Sequence, residues 1–207
     1  MNESIFESFE AYLKGADYPK GKKKIMQAAV DLISTKSYNG TSTLQIAKHA
    51  GLSQATLFKY FKTKEDLLTA ILHPVVPGLF GRFFEELLAF NTTEEKVHYL
   101  VHNRMAYLKK NRALMKIILQ EIFSNKKLRK EQLYIWNTLQ DKLLRLHKEL
   151  IKDSRVNPEL TIPQMVRLCV GPLLGYFAQL YIVSDNGDIR EEDLNLLEKQ
   201  ILGGLWK

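Results

Sequence analysis

Between Ser42 and Lys64 the 207-residue chain gathers small hydroxyl, amide and ammonium side chains: Ser42, Thr43, Ser53, Gln54, Ala55, Thr56, Lys59, Tyr60 and Lys64. Their shared chemistry is hydrogen bonding and attraction to anions, not bond cleavage. A glutamine amide can bond a base edge, an alanine can close on a thymine methyl, a threonine hydroxyl can reach a base or phosphate, and lysines draw phosphates. The charge around them points the same way. Residues 20–64 hold nine lysines against one acid, Asp31, a net +8, while the rest of the chain sums to −1 and the whole to +7. A field concentrated in this way attracts polyanions, although a solvated lysine face kept for solubility has the same composition.

Other reactive residue types are sparse. His98 and His102 stand at the i, i+4 spacing that can clamp a metal on one helix face. No acid or cysteine at matching spacing completes the set, and Glu94 or Glu95 would be a poor third ligand, so neither a metal nor a cofactor is expected. Cys169 is the one cysteine and cannot close an intrachain disulfide; in an apolar stripe it reads as a small buried hydrophobe. There is no Gly-rich phosphate loop, no His-Glu metal motif and no nucleophile elbow, and Glu191-Glu192-Asp193 reads as the acids of a helix's first turn. The chain is expected not to be an enzyme.

The elements that position the polar set can be read from local signals. Ser42 with Gln45 three residues on forms a capping box, Ser53 can cap a second helix, and Gly51 between them suits a left-handed helix end. Two helices joined so tightly cross steeply and need a small residue at the crossing, which is Ala47. Ile46, Ala50, Leu52, Leu57 and Phe61 supply the wedge. At 100° per residue Leu57 and Phe61 point inward on the second helix, while Ala55, Thr56 and Lys59 point outward, with Gln54 at its amino end and Tyr60 on its flank. This is a helix-turn-helix whose second helix suits the major groove.

Elsewhere the 3.6-residue period recurs and no strand alternation appears, which predicts an all-α protein. Helices are expected near 3–14, 22–37, 43–50, 54–61 and 64–72, then, longer, near 78–90, 94–110, 112–124, 127–153, 163–184 and 190–205. The domain reading is an arm or short amphipathic helix over 1–19, a DNA-binding domain with linking helix over 20–72, and a helical body over 73–207. The uncharged run 168–184 contains Gly171, Pro172 and Gly175 and falls short of the roughly 20 strongly apolar residues a span needs, so it reads as a buried core or interface helix. With no export signal at the amino end, the expected compartment is cytoplasmic.

Residues 25–72, from Ile25-Met26-Gln27-Ala28-Ala29 through Ile46-Ala47-Lys48-His49-Ala50-Gly51-Leu52-Ser53-Gln54-Ala55-Thr56-Leu57-Phe58-Lys59-Tyr60-Phe61 to Lys64-Glu65-Asp66-Leu67-Leu68, closely resemble the DNA-binding domain of TetR/AcrR-family transcriptional regulators. The resemblance implies a three-helix head, a linking helix, and a divergent body that dimerises and binds a small inducer. Lys64 matches a family lysine that contacts phosphate. Phe58 stands where a tyrosine is common, and Ser37 where a glycine usually ends the first helix.

The last two helices make the dimer in that family, and suitable stripes are present in Met165, Cys169, Leu173 and Leu180 and in Leu194, Leu197, Ile201 and Leu205. A ligand pocket would draw on Phe80, Phe84, His102, Tyr107, Trp136, Tyr176 and Phe177, although aromatics at helical spacing are more often plain core than pocket wall. The expected partners are a double-stranded operator with two-fold related half-sites, a second copy of the chain, and a small apolar or amphipathic ligand, with no membrane. The expected function is a sequence-specific regulator, a repressor released by its ligand. Sequence-neutral architectural DNA binding, or a basic helical enzyme, are the alternatives.

Overall fold

The computed structural model describes residues 8–74, 80, 82–121, 139–184 and 187–207. The helices are α1 (Phe9–Gly15), α2 (Lys20–Lys36), α3 (Thr43–His49), α4 (Gln54–Tyr60), α5 (Lys64–Leu72), α6 (Phe83–Ala89), α7 (Thr93–Lys110), α8 (Arg112–Glu121), α9 (139–150), α10 (Ile162–Ala178) and α11 (Glu191–Leu205). No strand occurs among the described residues; the one β-bridge pairs Val156 with Trp206. The expected helix over 127–153 is described only from residue 139, and Trp136 lies outside the described residues.

The chain divides into two compact units. The first comprises Met1–Gly81 and Lys110–Leu133, the second Arg82–Lys109 and Tyr134–Lys207. In the first, α2 packs against α3, α4, α5 and α8. Burial along its stripe explains why it forms: Ile25, Met26, Ala29 and Ile33 are at most 1% exposed, and they meet Ile46, Ala47, Leu57, Leu67 and Ile71, each fully buried. The arm is docked. Phe9 and Leu13 are buried, and the Tyr12 and Tyr18 hydroxyls lie 3.0 Å apart.

Local capping places the helices where the sequence signals them. The Ser42–Gln45 and Thr63–Asp66 capping boxes both form, the Ser53 hydroxyl accepts from the Thr56 N–H, and Gly51 takes φ +68°. The turn between α2 and α3 is tight. A Cβ on Gly40 would lie 2.2 Å from the Lys36 carbonyl oxygen, so only glycine fits without backbone movement. Thr41, 2% exposed, donates its hydroxyl to the Ser37 carbonyl at 2.9 Å.

Ser37 sits at φ 67°, ψ 164°, a region open almost solely to glycine, and holding a side chain there costs on the order of 1–3 kcal/mol. Against that relief, Ser37→Gly forfeits an exposed 3.3 Å hydrogen bond from the Gly40 N–H and adds unfolded-state entropy. The relief is the larger quantity, so Ser37→Gly should stabilise the protein by about 1 kcal/mol. Thermal unfolding of the two proteins checks it, and a lower midpoint for the glycine variant would refute the strain.

In the second unit, α10 packs on α11. The helix runs through Pro172 without ending and closes in a π-helical turn, Gln179–Val183.

Candidate nucleic-acid interface

Two helix starts carry the polar set. Ser42 and Ser53 are exposed caps, each spending its hydroxyl on the helix it opens. Thr43, first residue of α3, accepts on its hydroxyl from the Gln54 side-chain amide at 2.8 Å. That bond ties the amino ends of α3 and α4 together and fixes the Gln54 amide. The Thr56 hydroxyl lies 2.9 Å from that of Ser53. Ala55 and Lys59 are exposed, and Gln54, Thr56 and Tyr60 half-buried. Tyr60 leans on the start of α2, so close that a Cβ on Gly21 would meet its hydroxyl at 3.1 Å.

The cations around this surface are not equivalent. Lys48, Lys59 and Lys62 are exposed. Lys22 places its ammonium 3.9 Å over the Tyr18 ring. Lys64 is committed inward: its ammonium donates to the Tyr38 carbonyl and lies 4.0 Å over the Tyr38 ring, and burial pulls its pKa down. Lys64 therefore braces the α2–α3 turn from the start of α5. The segment's acid, Asp31, accepts from the Gln27 amide at 2.9 Å and lies 3.6 Å from His49.

Two further residues of this surface carry no polar signal. Leu44 is 59% and Phe58 45% exposed, on α3 and α4. At 100° per residue Leu44 stands far round the helix from the buried Ile46 but beside the buried Ala47, so helical phase alone does not mark it as outward.

Of the remaining sequence candidates, Phe80 belongs to the first unit and the other described ones to the second. Phe84, Tyr107, Tyr176 and Phe177 are buried, Phe80 and His102 half-buried. Each described member already packs or bonds: Phe84 lies 5.4 Å from Phe83, Phe177 5.0 Å from Tyr181, and the Tyr176 hydroxyl donates to Asp193 at 2.8 Å. Burial raises the Tyr107 phenol and lowers the Arg104 guanidinium to about 10, the latter 4.0 Å over the Phe83 ring. An open cleft of about 340 Å³ lies elsewhere, lined by polar groups including Lys96, Glu149, Asp153 and Arg155. Arg155 holds the Asp153 carboxyl well below the usual range.

Met165, Leu173, Leu180, Leu194, Leu197, Ile201 and Leu205 are buried inside the protomer, none above 8% exposed. Burial pushes the Cys169 thiol up to about 12, leaving no thiolate at neutral pH. The opposite face of α10 is open. Val170 is 38% exposed, Gly171 and Gly175 are exposed, and a Cβ on either glycine would meet nothing within 4 Å. Leu196 on α11 is 53% exposed. The stretch Ile162–Val183 is long and apolar enough, by length and composition, to cross a membrane, and 28% of its most apolar window is buried.

Residues 25–71 match the model of the family described as bacterial regulatory proteins, tetR family. The fatty acid metabolism regulator protein of Bacillus subtilis is 29% identical over 85 residues, 41% of this chain and 44% of that protein. The nucleoid occlusion factor SlmA of Vibrio campbellii is 20% identical over 166 residues, 79% of this chain and 83% of that one. The chain thus spans less than half of the first relative and most of the second. Among solved structures, the transcriptional regulator FadR of Bacillus subtilis in complex with stearoyl-CoA shares the fold at a TM-score of 0.65 and 23% identity, over 87% of this chain and 95% of that one. The capped helix-turn-helix and most of the lysine-rich surface around it thus lie within the stretch, residues 25–71, that matches the tetR family of bacterial regulatory proteins.

Proposed function

We propose that the chain is a sequence-specific DNA-binding transcriptional regulator, a dimeric repressor released from a two-fold operator by a small amphipathic ligand. The observation that carries the DNA-binding reading is the Thr43–Gln54 bond, which holds an amide at the exposed amino end of α4 inside a segment of net +8. Gln54, Ala55 and Thr56 read base edges there; Lys59 and Tyr60 hold phosphates, with Ser42, Thr43 and Ser53 at the helix starts near the backbone. Lys64 contributes through the turn it braces. Leu44 and Phe58 offer apolar surface to sugars and thymine methyls.

The second copy covers the open face of α10. Val170, Gly171, Leu174, Gly175 and Ala178 share one side of the helix, Leu196 adds to it, and the small residues let two backbones approach closely. Covering this face also accounts for an apolar helix that its own protomer leaves largely exposed. The cytoplasm is the compartment where such a protein meets DNA. The ligand belongs in the second unit, and the acyl-CoA bound by FadR makes a long-chain acyl thioester the first compound to try.

The resemblance to a nucleoid occlusion factor over most of the chain favours a second reading, DNA binding without an inducer. Selection from a random duplex pool, repeated with stearoyl-CoA, separates them. A two-fold sequence whose retention falls with the ligand is expected; retention without sequence preference would overturn the regulator reading.

A further inference from the structure

We infer that His98, His102 and Glu198 form a binding site for one divalent transition-metal ion of the zinc class, joining α7 to α11. The two histidines lie one turn apart on α7, their ring centroids 4.1 Å from each other and their planes inclined by 37°. Glu198, from the middle of α11, places one carboxylate oxygen between them, 2.9 Å from His98 Nδ1 and 3.1 Å from His102 Nε2. All three donor atoms lie within 4.8 Å of one another. Tetrahedral zinc with bonds of about 2.0–2.2 Å needs donors about 3.4 Å apart, so the two nitrogen–oxygen pairs reach coordination distance by shifts of a few tenths of an ångström, and the two ring nitrogens, within 4.8 Å of each other, by side-chain rotation.

The donor set selects the ion. Two imidazole nitrogens and a carboxylate oxygen favour zinc, cobalt, nickel or copper over magnesium or calcium, which take oxygen ligands in larger number. The fourth position faces solvent, where water completes the shell. Glu191, one residue into α11 and mostly exposed, sets a second carboxylate oxygen 3.8 Å from His102 Nε2, adding negative charge to the approach. His98 is 59% exposed and His102 31%, so an ion can reach them, whereas Glu198 at 19% is held in place. The ligands come from residues about a hundred positions apart, so bound metal fastens the first long helix of the second unit to the last.

The site is separate from the DNA-binding surface, and its test needs no DNA. The full-length protein, freed of metal with a chelator, is titrated with zinc by calorimetry and with cobalt by absorption, with magnesium as control. We expect one zinc per chain at micromolar affinity or tighter, a cobalt spectrum of tetrahedral type, and a thermal midpoint raised by about 5 °C at saturating zinc. Magnesium should leave the midpoint unmoved. Glu198→Gln should weaken zinc binding at least tenfold, and His98→Ala/His102→Ala should abolish it while leaving the metal-free midpoint within about 2 °C of wild type, both positions being partly exposed. No stoichiometric zinc uptake by the wild type would overturn the site. So would uptake undiminished in the double variant.

Discussion

Gln54→Ala should weaken binding to the cognate operator by at least roughly 30-fold while leaving affinity for random duplex nearly intact. Losing one well-placed amide contact costs about 1–3 kcal/mol per half-site, and a two-fold dimer loses it twice, about 2–6 kcal/mol in all. The Thr43 hydroxyl holds the Gln54 amide before DNA arrives, so little side-chain freedom is lost on binding. Thr43→Val removes that hold without touching the amide and should produce a smaller loss in the same direction. Lys59→Ala should behave differently, weakening all sequences alike and making the salt dependence shallower by about one unit of log–log slope. Fluorescence anisotropy on specific and random duplexes at several salt concentrations reads all three. An equal loss for Gln54→Ala on both duplexes would mean that this helix end recognises charge or shape alone.

A second contrast concerns the two faces of the carboxy-terminal helices. Ile201→Glu places a carboxylate at a position with 0% exposure, among side chains that offer it no partner, and should cost more than about 4 kcal/mol, enough to unfold the second unit. Gly175→Glu has open space around its new Cβ and replaces a poor helix former, so the fold should be retained or gain a few tenths of a kcal/mol. Its charge would fall on the face assigned to the second copy. Sedimentation velocity should then show a folded monomer for Gly175→Glu, a dimer for wild type, and aggregated or unfolded material for Ile201→Glu. A Gly175→Glu variant that stays dimeric at wild-type concentrations would place the interface elsewhere.

What could be read from sequence was whatever closes within three or four residues. The Ser42–Gln45 and Thr63–Asp66 boxes and the left-handed Gly51 are local, and they set the ends of α3, α4 and α5 within a residue of expectation. The polar set of the helix-turn-helix follows from helical phase once those ends are known. Contacts between distant segments were not legible. Glu198 reaches His98 and His102 from about a hundred residues away, and the Lys64 ammonium finds a carbonyl 26 residues upstream instead of pointing to solvent. On α10, which is apolar on two sides, periodicity separates the faces but cannot say which one the protomer's own helices cover. Here Met165, Leu173 and Leu180 lie on the inner one.

The packing of α8 on α2 bears on how the protein is made. All the residues proposed to contact DNA lie before residue 65, yet α2 does not gain its packing partner α8 until Glu121 has been synthesised. At about 5–20 residues per second, the ribosome takes several seconds to add the roughly 50 residues between α5 and the end of α8. During that interval the nascent helix-turn-helix carries an uncovered apolar strip on α2, and pauses in translation between codons 72 and 121 would prolong its exposure to chaperones and to other nascent chains.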